Sequence, residues 1–374
     1  MSNLSDVLQS VATANGLPNA HYTSDDVFAA EREALWFANW AGIGVGADIP
    51  EPGDARPIDL LGVPLFMMRG KDNQIRVFQN VCRHRGMTLV SQARRIEGAI
   101  RCPYHSWCYN HAGDLVATPH VGGPGQNTHP DINPSDLGLI QVRSHVWRDV
   151  VFVNMSGSAA AFEVQHADLI ARWSEFEAPL YHGGDLGRIQ LDCATNWKLA
   201  VENYAESYHL PWVHPGLNSY SRLEDHYNIV EPGFSGQGTR VYRQIMRDDG
   251  TKLPDFPDLS PAWDTAGEYI TLTPNVLFGV QRDHAFAIVL EPKGPQRTIE
   301  HIHLYYAAPG IDDALRCENR DLWKTVFVED IAVVEGMQAA RGAPGFDGGR
   351  FSPAMDGPTH AFHAWVAARM AQIG

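Results

Sequence analysis

The sequence predicts an α+β chain in which a small all-β module precedes a larger mixed domain. Three observations carry that reading. Short β-type runs split by turn residues fill the stretch from Gly42 to Ser156, helical and strand patterns mix after residue 157, and 374 residues suffice for two cores. The expected segments are an N-terminal helical stretch over 1–40, the β module over 41–156 and the mixed domain over 157–374. Apolar residues make up 44% and charged ones 20%, which excludes a disordered or collagen-like chain. A net charge of −15 repels phosphate backbones and argues against nucleic acid. No run reaches about 18 apolar residues, so no membrane span is expected. Met1 to Gly16 lacks the basic start and apolar run of a secretion signal, and five cysteines make no disulfide framework. A reducing, cytoplasmic compartment is therefore expected.

Taken in order, Thr23 to Trp40 reads as an amphipathic helix opened by a capping box of Thr23 and Asp26. Pro64 to Met68 and Ile75 to Phe78 read as strands, and Val150 to Asn154 as the last strand of the module. Helices are expected over Phe162–Phe176 and Trp197–His209. Strands are expected over Thr239–Met246, Tyr269–Leu272, Ala285–Leu290 and Thr298–Ala307, then a long helix over Asp312–Ala340. The Gly122–Gly125 run and Pro254–Pro261 are loops.

Cys82 and His84 form a Cys-x-His pair and Cys102 and His105 a Cys-x-x-His pair, with 17 residues between the two. Each pair fits one tight loop, and two such loops at hairpin tips make a four-ligand cage. Two thiolates and two imidazoles suit zinc, or a [2Fe–2S] cluster whose second iron carries histidines. A second constellation follows about a hundred residues later. On a helix Glu202, Glu206 and His209 would share one stripe at i, i+4 and i+7. Trp197, Tyr204, Tyr208, Leu210 and Trp212 make the surroundings aromatic, so burial is expected. Pro211 would end the helix and let His214 swing back toward the same metal. Two histidines need a third ligand for a facial triad on Fe(II). Asp330 is the candidate: Val326, Phe327, Val333, Val334 and Met337 place it within an apolar stripe. A carboxylate there needs a cationic partner, and a metal or an Arg/Lys salt bridge would serve.

Cys82-Arg83-His84-Arg85-Gly86 with Cys102-Pro103-Tyr104-His105-Ser106-Trp107 resembles the Rieske motif of ring-hydroxylating oxygenase large subunits. The resemblance implies a [2Fe–2S] cluster with Cys82 and Cys102 on one iron and His84 and His105 on the other. Ser106 stands where the family usually has glycine. Cys108 lies outside the pattern, and Cys108, Cys193 and Cys317 read as small buried residues. Glu202, Glu206, His209 and His214 match the family's Glu/Asp-x3-Asp/Glu-x2-His-x4-His signature, and Asp330 its distal carboxylate. This implies a mononuclear Fe(II) on His209, His214 and Asp330, with Glu202 and Glu206 as catalytic carboxylates. It implies that Glu206 bridges to a neighbouring subunit's cluster, and that the domain is a helix-grip (START-like) fold in a homotrimer. Most ring-attacking members carry Asp at that position. Glu206 instead resembles the branch acting on quaternary ammonium compounds such as carnitine, choline and betaine. Tyr204, Tyr208, Trp212, Phe278, Phe286 and Tyr305 are the expected aromatic cage for the cationic head group.

No Gly-x-Gly-x-x-Gly follows a strand, so electrons are expected from a separate NAD(P)H-dependent flavin and iron–sulfur reductase. The expected activity is O2-dependent hydroxylation of a small quaternary ammonium substrate, leading to N-demethylation or C–N cleavage. The alternatives are an oxygenase of an aromatic ring or aromatic acid, and a non-catalytic [2Fe–2S] carrier or ligand-binding protein.

Overall fold

The structure, a computed structural model, describes residues 4–372; residues 1–3 and 373–374, at the ends of the first and third expected segments, lie outside it. The chain forms two compact units, Ile43–Gly157 and a second that joins Met1–Gly42 to Ser158–Gly374.

The first unit is all β. A seven-stranded sheet has the order β1 (Ala41–Val45), β10 (Val150–Asn154), β9 (Gln141–Trp147), β4 (Ile75–Gln79), β3 (Val63–Arg69), β2 (Asp54–Leu60) and β5 (Arg94–Arg95). A three-stranded sheet holds β6 (Ile100–Arg101), β7 (Cys108–Tyr109) and β8 (Leu115–Ala117). Phe66 faces Phe78 across the β3–β4 ladder, and their rings meet at 5.4 Å. These rings share one core cluster with Ile100, Trp107 and Tyr109, and Cys82 and Cys102 belong to it. Each cysteine-bearing loop is thereby rooted in the core through its cysteine.

The second unit is built on an antiparallel sheet ordered β11 (Tyr181–His182), β18 (Thr298–Tyr306), β17 (His284–Pro292), β16 (Val276–Gln281), β15 (Gly267–Leu272), β14 (Phe234–Thr239) and β13 (His226–Glu231). Strand β12 (Arg188–Cys193) also pairs with β18. On one face Phe286 sits opposite Gly279, whose missing Cβ leaves the ring room; a Cβ there would lie 2.3 Å from it. Phe286 packs against Trp323 at 4.6 Å and edge-on to Phe327 at 5.4 Å, both from a long helix, Asp313–Ala340. Asp312 caps that helix, accepting from the Ala314 and Leu315 amides. Its buried line runs through Leu315, Asn319, Trp323, Phe327, Val334 and Gln338, and Asp330 falls in the gap between Phe327 and Val334. A sheet wrapped on a long helix is the expected helix-grip arrangement.

Several local expectations are corrected. Ser24 rather than Thr23 caps the N-terminal helix Asp25–Glu31, because Ser24 is extended and accepts from the Val27 amide; a π-turn, Arg32–Phe37, carries the chain on. The span Phe162–Phe176 breaks into Phe162–Gln165, Ala167–Arg172 and a 3-10 turn at Ser174–Phe176. His166 leaves the helical region, and Arg172 and Trp173 both turn to Glu268. The strand expected at Thr239–Met246 lies before Thr239, not after it. The Thr239 hydroxyl takes the Val241 amide at 3.1 Å and turns the chain out of the sheet. Strands β12, β13 and β16 and a C-terminal helix, Gly357–Met370, are additions to the expected elements.

A buried polar cluster fastens the N-terminal segment to the helix Trp197–Ala205. Lys198 Nζ lies 2.6 Å from Glu31, which His21 also holds at 2.9 Å. Tyr22 donates to Glu202 at 2.6 Å, and His363 and Arg341 lie 3.1 and 3.8 Å from the same carboxylate. Burial pulls the Lys198 ammonium below its ordinary range while Glu31 opposes it. Lys198→Met should therefore cost about 3 kcal/mol in denaturant unfolding, because it leaves the buried Glu31 carboxylate with His21 alone. Adding Glu31→Gln should recover most of that loss.

Candidate active site and cluster site

The two cysteine loops have the same backbone plan. The Gly86 amide donates to Cys82 O and the Ser106 amide to Cys102 O, each at 3.0 Å. The Cys82 and Cys102 amides donate to Met87 O and Trp107 O, each at 2.8 Å. Both fifth positions are left-handed, Gly86 at φ +76° and Ser106 at φ +57°. Glycine adopts that conformation freely, whereas serine is strained there by about 1–2 kcal/mol. The departure at Ser106 thus lies in backbone energetics rather than in the ligand set.

Between the loops the two thiols are buried, and the His84 and His105 rings approach to 4.7 Å. Trp107 stacks on His84 at 4.7 Å and Tyr104 on His105 at 3.7 Å. Tyr109 OH, which accepts the Arg83 amide, lies 3.3 Å from Cys82 Sγ. Burial pushes the Cys82 thiol up, against the Tyr109 hydrogen bond, and burial with the nearby His105 pulls His84 down. A metal would take such a thiol as its thiolate and such an imidazole in its neutral form. His105 Nδ1 is buried without a hydrogen-bond partner, an orphan that a metal ion would satisfy.

The second cluster of donors lies beyond the helix Trp197–Ala205, which stops earlier than the sequence spacing suggests. Glu206 is extended, at φ −126° and ψ 162°, so Glu202, Glu206 and His209 do not share a helical stripe. The reason is local: the Glu206 carboxylate takes the Tyr208 amide and reaches His209 Nδ1 at 2.7 Å, competing with the helix ladder. Pro211 then opens a short helix, Leu210–Val213, in its first turn instead of closing one. His214 follows it, and its Nδ1 lies 2.7 Å from Glu329 Oε2.

Both histidines are thus gripped at Nδ1 by a carboxylate, and both present Nε2 to one oxygen. Asp330 Oδ1 lies 3.1 Å from His214 Nε2 and 3.7 Å from His209 Nε2, and one donor atom from each residue falls within 4.8 Å of the others. Despite that proximity Asp330 Oδ1 is buried without a hydrogen-bond partner. Two nitrogens and one oxygen facing a common point, with no hydrogen bond made, is the donor set and the unmet demand of a 2-His-1-carboxylate metal site. Burial works against a charge on His214, but Asp330 and Glu329 outweigh it and hold the ring above its ordinary range.

Two further carboxyls escaped the sequence reading. Glu329 is one; the apolar periodicity that singled out Asp330 gave it no signal. The other is Glu300 on β18, which shares a space of about 30 Å³, room for one water, with Tyr204 and Asp330. Burial, with the Asp330 charge adding to it, pushes Glu300 up to about 7.

Glu202 requires correction. Its carboxylate is taken up by Tyr22, His363 and Arg341, so it ties helices together rather than gripping His209 or His214. The aromatic cage requires correction as well. Phe278 sits opposite Ala287, and Tyr305 opposite Ala285, which places both on the sheet face away from Phe286. Tyr208 and Trp212 are exposed, at 42% and 72%. Phe286 is buried in packing between Trp323 and Phe327, and Tyr204 donates its hydroxyl to Phe278 O.

A second cavity reaches Glu329, the carboxylate that holds His214 Nδ1, while His209, His214 and Asp330 are not among its lining residues. It holds about 250 Å³ and is lined by Tyr220, Tyr242, Tyr269 and Trp323, with Glu329 at one side. No Lys or Arg is among its lining residues. His226 also borders it, hydrogen-bonded to Gln237 and Ser221 and pulled down by burial.

Residues 180–372 match the model of the ring hydroxylating alpha subunit (catalytic domain), and residues 39–131 match that of the Rieske [2Fe-2S] domain. The chain belongs to the ring-hydroxylating oxygenase alpha-subunit family. It is thus a Rieske-type non-heme iron oxygenase, of a family whose two domains bind a [2Fe–2S] cluster and a mononuclear iron. The carnitine monooxygenase oxygenase subunit of Acinetobacter pittii is 25% identical over 343 residues, covering 88% of this chain and 86% of that protein. The chloroplastic choline monooxygenase of Spinacia oleracea is 25% identical over 362 residues, covering 93% and 77%. The quaternary ammonium Rieske monooxygenase CntA, solved with L-carnitine, shares the fold at a TM-score of 0.79 and 22% identity, over 98% of this chain and 99% of that one. Among the described residues no helix is long and apolar enough to cross a membrane.

Ser106→Gly should stabilise the chain by about 1 kcal/mol in denaturant unfolding, since it removes the left-handed strain. A lower midpoint would show that the serine hydroxyl, not the backbone, decides that position.

Proposed function

We propose that this chain is the terminal oxygenase of a multicomponent system that hydroxylates a quaternary ammonium compound, with N-demethylation or C–N cleavage following. In this reading Cys82 and Cys102 hold one iron of the cluster and His84 and His105 the other. His209, His214 and Asp330 hold the mononuclear iron, whose role when loaded is to activate O2 with electrons delivered through the cluster. A separate NAD(P)H-dependent reductase supplies those electrons, and the protein works as a homotrimer. Glu206 serves as the bridge toward a neighbouring subunit's cluster, since its carboxylate already orients His209 and sits on the chain's bend.

The observation that carries the substrate class is the aromatic cavity that Glu329, the partner of His214, borders. Four aromatic side chains line it, the residue type that attracts a cation, and Glu329 adds a negative charge at the wall. An aromatic acid would meet no Lys or Arg among the lining residues, whereas an ammonium group meets both kinds of stabilisation. A volume of about 250 Å³ lies below the roughly 300–1,000 Å³ of drug-sized sites, which suits a small metabolite. Glu329 and Glu206 also keep the proton of each imidazole on Nδ1, so each Nε2 lone pair stays directed at the site. The relatives named above act on carnitine and choline, in line with this choice.

Oxygen uptake driven by NADH and a reductase, measured across choline, carnitine, glycine betaine and a set of aromatic acids, tests the reading. Consumption coupled to product with a quaternary amine is the expected result. Coupling with aromatic acids alone would overturn the substrate class while leaving the oxygenase assignment standing.

A further inference from the structure

Two of the four aromatic walls are tied at their polar ends to one buried pair of residues. Trp323 Nε1 donates to His284 Nε2 at 2.7 Å, and Tyr242 OH donates to Asp283 Oδ1 at 2.9 Å. His284 Nδ1 lies 2.8 Å from the same Asp283 oxygen, and both residues of the pair are fully buried. The partners fix the proton positions. An indole nitrogen only donates, so His284 Nε2 must accept, which leaves the imidazole proton on Nδ1 to be given to Asp283. Gln244 Nε2 donates to the other Asp283 oxygen at 3.2 Å. The hydrogen bonds therefore converge on Asp283: Trp323 donates to His284 and His284 to Asp283, while Tyr242 and Gln244 donate to Asp283 directly.

The pair stands at the turn between β16 and β17. Both aromatic rings it grips border the cavity, so the angle at which each ring meets a ligand is set from behind. A cation–π contact depends on ring orientation as well as on distance. A phenol or indole free to tilt would lose both the contact and the cavity's width.

We propose that Asp283 and His284 are positioning residues that fix the Tyr242 and Trp323 walls and thereby set which substrate the cavity accepts. The inference rests on the reading of this cavity as the place where substrate binds, but not on the substrate's being a quaternary amine.

The test is made on the full-length, iron-loaded protein with whichever compound of the amine and aromatic-acid panel the wild-type chain turns over. Failure of the amine reading then shows in the wild type, and failure of the pairing shows in the variants. His284→Ala should raise KM by about tenfold, as expected for loss of two buried hydrogen bonds, with a smaller change in kcat. His284→Gln, whose amide can both accept from Trp323 and donate to Asp283, should restore KM to within about threefold. A folded His284→Ala chain with wild-type KM, or a His284→Gln chain no better than the alanine variant, would overturn the proposal. If His284→Ala fails to fold, Tyr242→Phe decides. It removes only the tie to Asp283 and should raise KM by about threefold or more, and a wild-type KM would refute the idea.

Discussion

The catalytic unit depends on how two imidazoles are aimed. Each histidine is held at Nδ1 by a glutamate, His209 by Glu206 and His214 by Glu329, at 2.7 Å in both cases. Those bonds fix the tautomer and the ring direction, and they bring both Nε2 atoms to the one side where Asp330 points. The fold serves that arrangement. The helix Trp197–Ala205 ends at Glu206 because its carboxylate takes a backbone amide. The long helix Asp313–Ala340 leaves a gap for Asp330 between Phe327 and Val334, and Phe286 settles over Gly279 to seat that helix on the sheet. A cluster of buried charges, with Lys198, Glu31 and Glu202 at its centre, then keeps the helix before the histidines from shifting.

The same logic of gripping a group from behind recurs in both units. In the β unit the ligand loops are rooted by Cys82 and Cys102 in the core, while Trp107 and Tyr104 brace the histidines from the other side. In the catalytic unit the cavity walls are gripped at their polar tips. Tyr242 and Trp323 spend their hydrogen-bonding ends on Asp283 and His284.

Much of this was legible in the sequence where the chemistry is local. The Cys82/His84 and Cys102/His105 spacings depend only on one tight loop each, and Asp330 stood out because helix periodicity surrounds it with apolar residues. Legibility failed where distant segments decide. Glu206 and His209 have the spacing of a helix, yet the Glu206 carboxylate breaks it. Ser106 stands out only as a replaced glycine, and the structure shows it to be a left-handed backbone residue. The cavity's aromatics come from four separate segments, Tyr220, Tyr242, Tyr269 and Trp323, and no local pattern joins them. Phe278 and Tyr305 were plausible by composition but sit on the opposite sheet face, a matter of strand register that sequence alone does not set. Glu202 matched a motif, and only tertiary contacts reveal that it secures helices.

The most direct measurement is the metal and sulfide content of anaerobically purified protein, compared with that of Asp330→Ala. Two separate iron-holding sites on one chain require about three irons and about two acid-labile sulfides per chain. Removing the Asp330 carboxylate should lower iron to about two while leaving sulfide and the cluster's colour in place. Colourless protein holding zinc, or a variant that keeps all its iron, would contradict the account.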